Sequence, residues 1–434
     1  MTLYRERLRS LDDAIGLIGR RDIIAAPIAT GQPATFLAGL AGRQDFEDLT
    51  LFSGLLIEPY TVLQQPGVRL VSGFFGPIER MLRSAGVGVE YLPADFLGWE
   101  RYALKVKPRV VVSAVTAMDE AGYLNFGLHS GASFYAFLQA AADPQRLAIA
   151  EVVPELPWVE GVGTFGDHRI HISEVDCVVE SDRSPFELPE APVGEEDRAI
   201  AAFVESLIEE GATLQFGIGA IPNMVATRLA EGTKGDFGVH SEMIVDGVMH
   251  LHQAGKVSNR KGVYDGFSVG TFAAGSRALY AWMDRNPVVR ILPVLHVNDP
   301  AVIRRNRRMV SINAALAVDL NGQVMADTIG PRQYSGVGGH ELFVIGAHDS
   351  DRGRSIICLH STAQAAGERV STIVAALPSG TPVSTPRQHV QTVVTEHGIA
   401  DLEMLTARER AQALIAIAHP DFRAELRRQA QQSS

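Results

Sequence analysis

Short apolar runs bounded by turn residues alternate along this chain with longer segments whose apolar positions return every three or four residues. The first pattern marks buried strands and the second marks helices packed on one face. The first half predicts a helix over 11–18, then a strand over 22–27 that feeds the loop Ala29-Thr30-Gly31-Gln32-Pro33. A helix follows through 36–40, with strands over 51–57, 68–74 and 109–115 and a helix over 78–84. A stretch rich in proline and glutamate, 184–197, interrupts the pattern. It restarts with a helix over 198–210, a strand over 212–216, the loop 217–222 and a helix over 223–229. Strands alternating with helices predict an α/β fold with largely parallel sheets.

Three stretches of the second half echo the first in the same order. Gly31-Gln32-Pro33, opening a helix, matches Gly219-Ala220-Ile221-Pro222. Val71-Ser72-Gly73, before a Phe-Phe-Gly turn, matches Val239-His240-Ser241-Glu242 before Asp246-Gly247. Asp119-Glu120-Ala121-Gly122-Tyr123-Leu124 matches Asp319-Leu320-Asn321-Gly322-Gln323-Val324. The repeat predicts two duplicated α/β domains, 1–190 and 191–434, with an active site in the cleft between them. Gly73 falls opposite Glu242, so the carboxylate is expected in one half only.

Bulk properties narrow the chemistry. At 434 residues the chain exceeds what one hydrophobic core supports, roughly 250–300 residues. A net charge of -11 argues against a general nucleic-acid binder, whose footprint is a basic face. Cys177 and Cys358 alone supply neither a disulfide framework nor a multi-cysteine metal site, which predicts a reducing, cytoplasmic setting. The charged first 13 residues lack the apolar core of a signal peptide. No apolar run approaches the ~18–20 residues of a membrane span, so no membrane partner is expected.

The stretch from Phe237 to Gly247 puts Glu242 at the end of a short apolar segment and then turns. A carboxylate there can project from a sheet edge as a base or nucleophile, and a solvated glutamate at a strand end gives the same pattern. Gly217-Ile218-Gly219 leaves a strand and enters a helix, where backbone N–H groups can face an anion. It lacks the third glycine of a dinucleotide fingerprint and taken alone reads more readily as an ordinary strand-to-helix turn. Ser335-Gly336-Val337-Gly338-Gly339-His340 is denser, and is open between a ligand-facing loop and a tight bend. His240, His250 and His252 with Glu242 and Asp246 match no compact metal-ligand spacing, so no metal is expected. The segment 270–275 lacks the serine of a nucleophile elbow. The run Arg304-Arg305-Asn306-Arg307-Arg308 reads as a solvated helix face, with a phosphate grip as its alternative.

The ordered set of segments is more specific than any one of them. Gly-Ile-Gly-Ala-Ile-Pro (217–222), His-Ser-Glu-Met (240–243), Val-Ser-Ile-Asn-Ala-Ala (310–315), Val-Asp-Leu-Asn-Gly-Gln-Val (318–324), Tyr-Ser-Gly-Val-Gly-Gly (334–339) and Val-Val-Thr-Glu-His-Gly-Ile-Ala (393–400) stand in this order. With Ile-Ala-His-Pro-Asp-Phe-Arg (417–423) they resemble the acetyl-CoA hydrolase/transferase family, which includes 4-hydroxybutyrate and butyryl-CoA:acetate CoA-transferases. The likeness runs over nearly the whole chain, with weaker marks at Tyr91-Leu92-Pro93 and 119–123.

The resemblance implies that Glu242 is the nucleophile of a CoA-transferase working through a glutamyl-CoA thioester. It implies oxyanion donors in the amides of Ile218 and Gly339, and a CoA site lined by Gly217, Ile218, Gly219, Ala220, Ile221, Gly336, Gly338 and Gly339. Asn313 and Glu396 match positions that hold the carboxylate substrate or the nucleophile. A homodimer is implied, with acyl-CoA and a small carboxylate as substrates and no resident cofactor, since coenzyme A arrives on the substrate. The chain departs from the family at Leu342 and Ile345, where many members have Asp and Arg, at Val153, where they often have Asn, and at Glu403-Met404, where they have Arg-Gly. The acyl pair is therefore open between 4-hydroxybutyrate- or acetate-like acids and a small dicarboxylate such as succinate or itaconate, which His340 in the substrate pocket could pair with. Acyl-CoA hydrolysis is the alternative if water reaches the acyl anhydride, and a non-catalytic acyl-CoA-binding protein is the second alternative.

Overall fold

The computed structural model describes residues 2–163, 167–189, 192–217, 219–365 and 367–432. It divides into two compact units, Met1–Leu188 with Val269–Val297, and Pro189–Ser268 with Asn298–Ser434. The segment Val269–Val297, which the sequence reading assigned to the second domain, is grouped with the first unit.

The first unit is built on a seven-stranded, wholly parallel sheet of β1 (Arg21–Ala25), β2 (Asp48–Ser53), β3 (Val68–Ser72), β4 (Val89–Tyr91), β5 (Val110–Val115), β6 (Leu147–Val152) and β7 (Cys177–Glu180). The strand order is β4-β3-β2-β1-β5-β6-β7. Every residue of β5 is buried, as expected of a strand covered on both faces, and its sequence is a near-continuous apolar run. Ile24, Leu51, Leu70, Val112 and Ile149 from five strands share one core.

The second unit carries β8 (Thr213–Phe216), β9 (Gly238–Val239), β10 (Met309–Ala314), β11 (Arg354–Cys358), β12 (Thr392–Thr395) and β13 (Gly398–Asp401), in the order β9-β8-β10-β11-β12-β13. All neighbours are parallel except the terminal hairpin of β12 and β13. Its core gathers Ile357 and Val393 from the sheet with Val344, Leu414 and Leu426 from helices.

The order β2-β1-β5-β6-β7 of the first unit repeats as β9-β8-β10-β11-β12 in the second. The two sheets thus share one strand order. The third echo falls on one turn built twice. Asp119 Oδ1 accepts from the Tyr123 amide at 2.8 Å and Asp319 Oδ1 from the Gln323 amide at 3.0 Å. Gly122 and Gly322 take φ of +89° and +90°, a conformation glycine adopts freely.

The second echo is corrected. The strand before Glu242 is β9, whose topological counterpart is β2 and not β3, so Gly73 does not stand opposite Glu242. The third residue after β2 is Leu56, whose amide is bonded to Glu79, and no carboxylate occurs at that place.

Candidate active site

In the second unit the chain leaves β8 first toward β9 on one side and later toward β10 on the other. In open α/β sheets, ligands bind at the carboxyl ends of the strands where loops depart in opposite directions. The segments singled out from sequence arrive at that edge. Gly217 follows β8, His240-Ser241-Glu242 follows β9, and Asn313 is the penultimate residue of β10.

Glu242 is placed by its two predecessors. The His240 amide donates to the Leu214 carbonyl at 3.1 Å, prolonging the β9 ladder. The buried Ser241 hydroxyl accepts from the Phe216 amide at 3.2 Å and lies 3.3 Å from the Phe216 carbonyl, tying the segment to the end of β8. The predicted turn at Asp246-Gly247 is instead the start of a helix, Asp246–Gln253. Gly247 serves packing there, because a Cβ would overlap that of Ala226 on the neighbouring helix Ala220–Glu231.

The half-buried Glu242 carboxylate is in contact with Asn298 and Gly339. Asn298 donates from Nδ2 to Oε2 at 2.5 Å. Gly339 lies so close that a Cβ built on it would overlap Glu242 Oε2 and Asn298 Nδ2 and stand 3.1 Å from Glu242 Cδ. Gly339 is the N-cap of the helix His340–His348, so the carboxylate sits at the positive end of a helix, which favours negative charge there. Within the glycine cluster the backbone approaches closely at Gly339 and takes a φ of +55° at Gly338.

Asn298 was missed in the sequence reading. Its side chain is fully buried, and Oδ1 has no hydrogen-bond partner among the described residues. The only local signal is an asparagine ahead of Asp299-Pro300, where Asp299 caps the short helix Pro300–Ile303.

Other candidates take distinct places. Ile218 lies outside the described residues. Gly219, at φ +129°, caps the helix Ala220–Glu231, whose first residues Ala220 and Ile221 remain half-buried. Asn313 is buried with its Nδ2 donor unpartnered among the described residues. Glu396 directs one oxygen to the Ser361 hydroxyl and the other to the Ser361 amide at 2.9 Å. Burial opposes its ionisation, but these bonds and His397 hold the carboxyl below the ordinary range. His340 has Nε2 sealed from solvent without a partner among the described residues, and desolvation lowers its pKa to about 4 against the opposing pull of Asp327. It is a neutral imidazole at pH 7. His252 bonds Ser268 at 2.8 Å, and among the described residues no three His, Cys, Asp or Glu side chains are grouped so as to hold a metal ion.

Residues 275–430 match the acetyl-CoA hydrolase/transferase C-terminal domain. The chain is 37% identical to 4-hydroxybutyrate coenzyme A transferase of Clostridium kluyveri, over 98% of this chain and 97% of that protein. It is 36% identical to succinyl-CoA:cyclohexane-1-carboxylate CoA transferase of Geobacter metallireducens, over 98% and 94%. Among solved structures it is similar to RipA from Yersinia pestis, with a TM-score of 0.90 and 33% identity over 100% of this chain and 98% of that one. The chain belongs to the acetyl-CoA hydrolase/transferase family.

Proposed function

We propose that the protein is an acyl-CoA:carboxylate CoA-transferase in which Glu242 carries CoA as a thioester. The observation that carries this reading is the clamped carboxylate. Asn298 and Gly339 fix Oε2 at the end of a helix, so the carboxylate is oriented before substrate arrives. Glu242 attacks the acyl-CoA thioester carbon, the C–S bond breaks, and CoA thiolate leaves behind an acyl-glutamyl anhydride. The thiolate attacks the glutamyl carbon, releasing the first carboxylate and leaving glutamyl-CoA. A second carboxylate attacks that thioester and expels the thiolate, which then takes the acyl group and regenerates Glu242. Each attack creates an oxyanion, and a preorganised donor is worth roughly 3–4 kcal/mol. The amides of Gly339 and Ile218 are assigned that role by family likeness.

Coenzyme A enters as part of the substrate, and a short-chain acid is the acceptor. For a dicarboxylate, His340 would offer a hydrogen bond and not a charge, since its burial keeps it neutral. Intact mass after brief incubation with short acyl-CoA thioesters, followed by peptide mapping, tests the reading. A gain of CoA less water on the peptide carrying Glu242 is expected, lost in Glu242→Gln. CoA release without any adduct, and without stimulation by added carboxylate, would replace transfer by hydrolysis. A Glu242→Gln variant of full activity would overturn the catalytic assignment.

A further inference from the structure

The second unit has another concavity, at the amino edge of its sheet and so at the opposite end of the strands from Glu242. It encloses about 330 Å³, and charged and polar groups dominate its wall. Arg308 stands just before β10, Arg354 opens β11, and Arg352 comes from the turn between them and the helix His340–His348. His348, the last residue of that helix, completes the basic side, and the carboxylates on the wall are Glu209 and Glu403.

These guanidinium groups are only partly engaged. Arg352 bonds Glu209 at 2.6 Å, Arg308 donates one N–H to the Glu210 carbonyl at 2.6 Å, and Arg354 reaches Thr392 Oγ1 at 3.1 Å and Asp401 at 3.0 Å. Each guanidinium has five N–H donors, so most of the donors on these three are unspent by those bonds. Two of the three also sit in strained backbone, with φ of +49° at Arg308 and +56° at Arg352. Left-handed backbone at a long side chain is disfavoured, and such outliers gather where function holds them. A glycine would relieve either position, yet the chain has arginine at both.

We propose that this cleft binds a phosphate group, separately from the catalytic edge. A phosphate presents oxygens that guanidinium forks meet in pairs, and Arg308, Arg352 and Arg354 converge here with one carboxylate, Glu209, shared between the first two and Asp401 on the third. The volume is at the small end of ligand cavities, enough for a phosphate ester with a modest organic body. Two rigid elements join the cleft to the active edge. β10 starts next to Arg308 and carries Asn313 near its other end, and the helix His340–His348 runs from its cap Gly339 beside Glu242 to His348 in the cleft.

Isothermal titration of the full-length protein with inorganic phosphate, at constant ionic strength and with saturating CoA present, is the test. Saturable binding is expected, weakened at least tenfold by Arg352→Gly and by Arg354→Gln. Arg352→Gly keeps the loop conformation, because glycine adopts that φ without strain. Glu209→Gln is expected to tighten binding by freeing Arg352, whereas a purely structural ion pair would give no change in affinity. A sugar phosphate binding more tightly than the free ion identifies an ester as the occupant, and equal binding identifies inorganic phosphate. Absence of saturable binding in the presence of CoA, or an affinity in both arginine variants equal to that of the parent, would overturn the proposal.

Discussion

Glu242, Asn298 and Gly339 are held to one another by contacts that leave little tolerance. Gly339→Ala puts a methyl group into the space of Glu242 Oε2 and is expected to lower kcat roughly 100-fold or more, since small misplacements at a reacting group cost about that much. A melting curve close to that of the parent would separate this from unfolding. Asn298→Ala removes one hydrogen bond to a charged group, about 1.5–3 kcal/mol, so kcat should fall roughly 10- to 100-fold with a smaller change in KM. Asn298→Asp should be worse, because two carboxylates then face each other. The legibility of these residues was uneven. Glu242 and Gly339 lie in segments whose neighbours carry pattern, a strand end and a glycine cluster, while Asn298 lies in an ordinary turn. Its role follows from where the chain re-enters the second unit, which no local pattern encodes.

At the scale of elements, the tie between the β9 exit and β8 rests on one hydroxyl. Ser241→Ala leaves the Phe216 amide without that partner in a buried place and should cost about 1–3 kcal/mol, read as a shift in the denaturant midpoint. The paired turns make a matched experiment. Alanine at Gly122 or Gly322 forces a methyl-bearing residue to φ near +90°, so each variant should lose about 1–3 kcal/mol. Element types were readable because the apolar runs of β1, β3, β5 and β8 are short and bounded. The helix Asp246–Gln253 was not, since Asp-Gly is also a strong turn signal and the packing of Gly247 on Ala226 is a tertiary matter. The second echo failed for a related reason. Both β2 and β3 end in serine followed by glycine, and only strand order tells them apart.

For the molecule as a whole, buried acids shape the response to pH. Glu100 is fully buried on the helix Phe96–Val106, neither oxygen has a partner among the described residues, and desolvation raises its pKa to about 8 against the weak opposing effect of Arg101. Its raised folded pKa gives stability that is present below the ordinary carboxyl range and is lost as pH rises toward about 8, at up to about 1.4 kcal/mol per pH unit. Glu100→Gln should therefore flatten the fall in stability between pH 5 and 8, as followed by urea unfolding across that range. Glu396 acts in the opposite sense. Its lowered pKa gives stability present above the ordinary carboxyl range and lost as the solution is acidified, so Ser361→Ala should soften acid unfolding.

The ends of the second unit's sheet bear on how the protein behaves when crowded. One side finishes on β9, with two residues, and the other on β13, with four residues running against the rest. A foreign strand needs a long unpaired ladder to dock, and neither end offers one. Aggregation through this sheet should therefore require β9 or β13 to detach first, and concentrated solutions should remain clear until conditions approach those that unfold the unit.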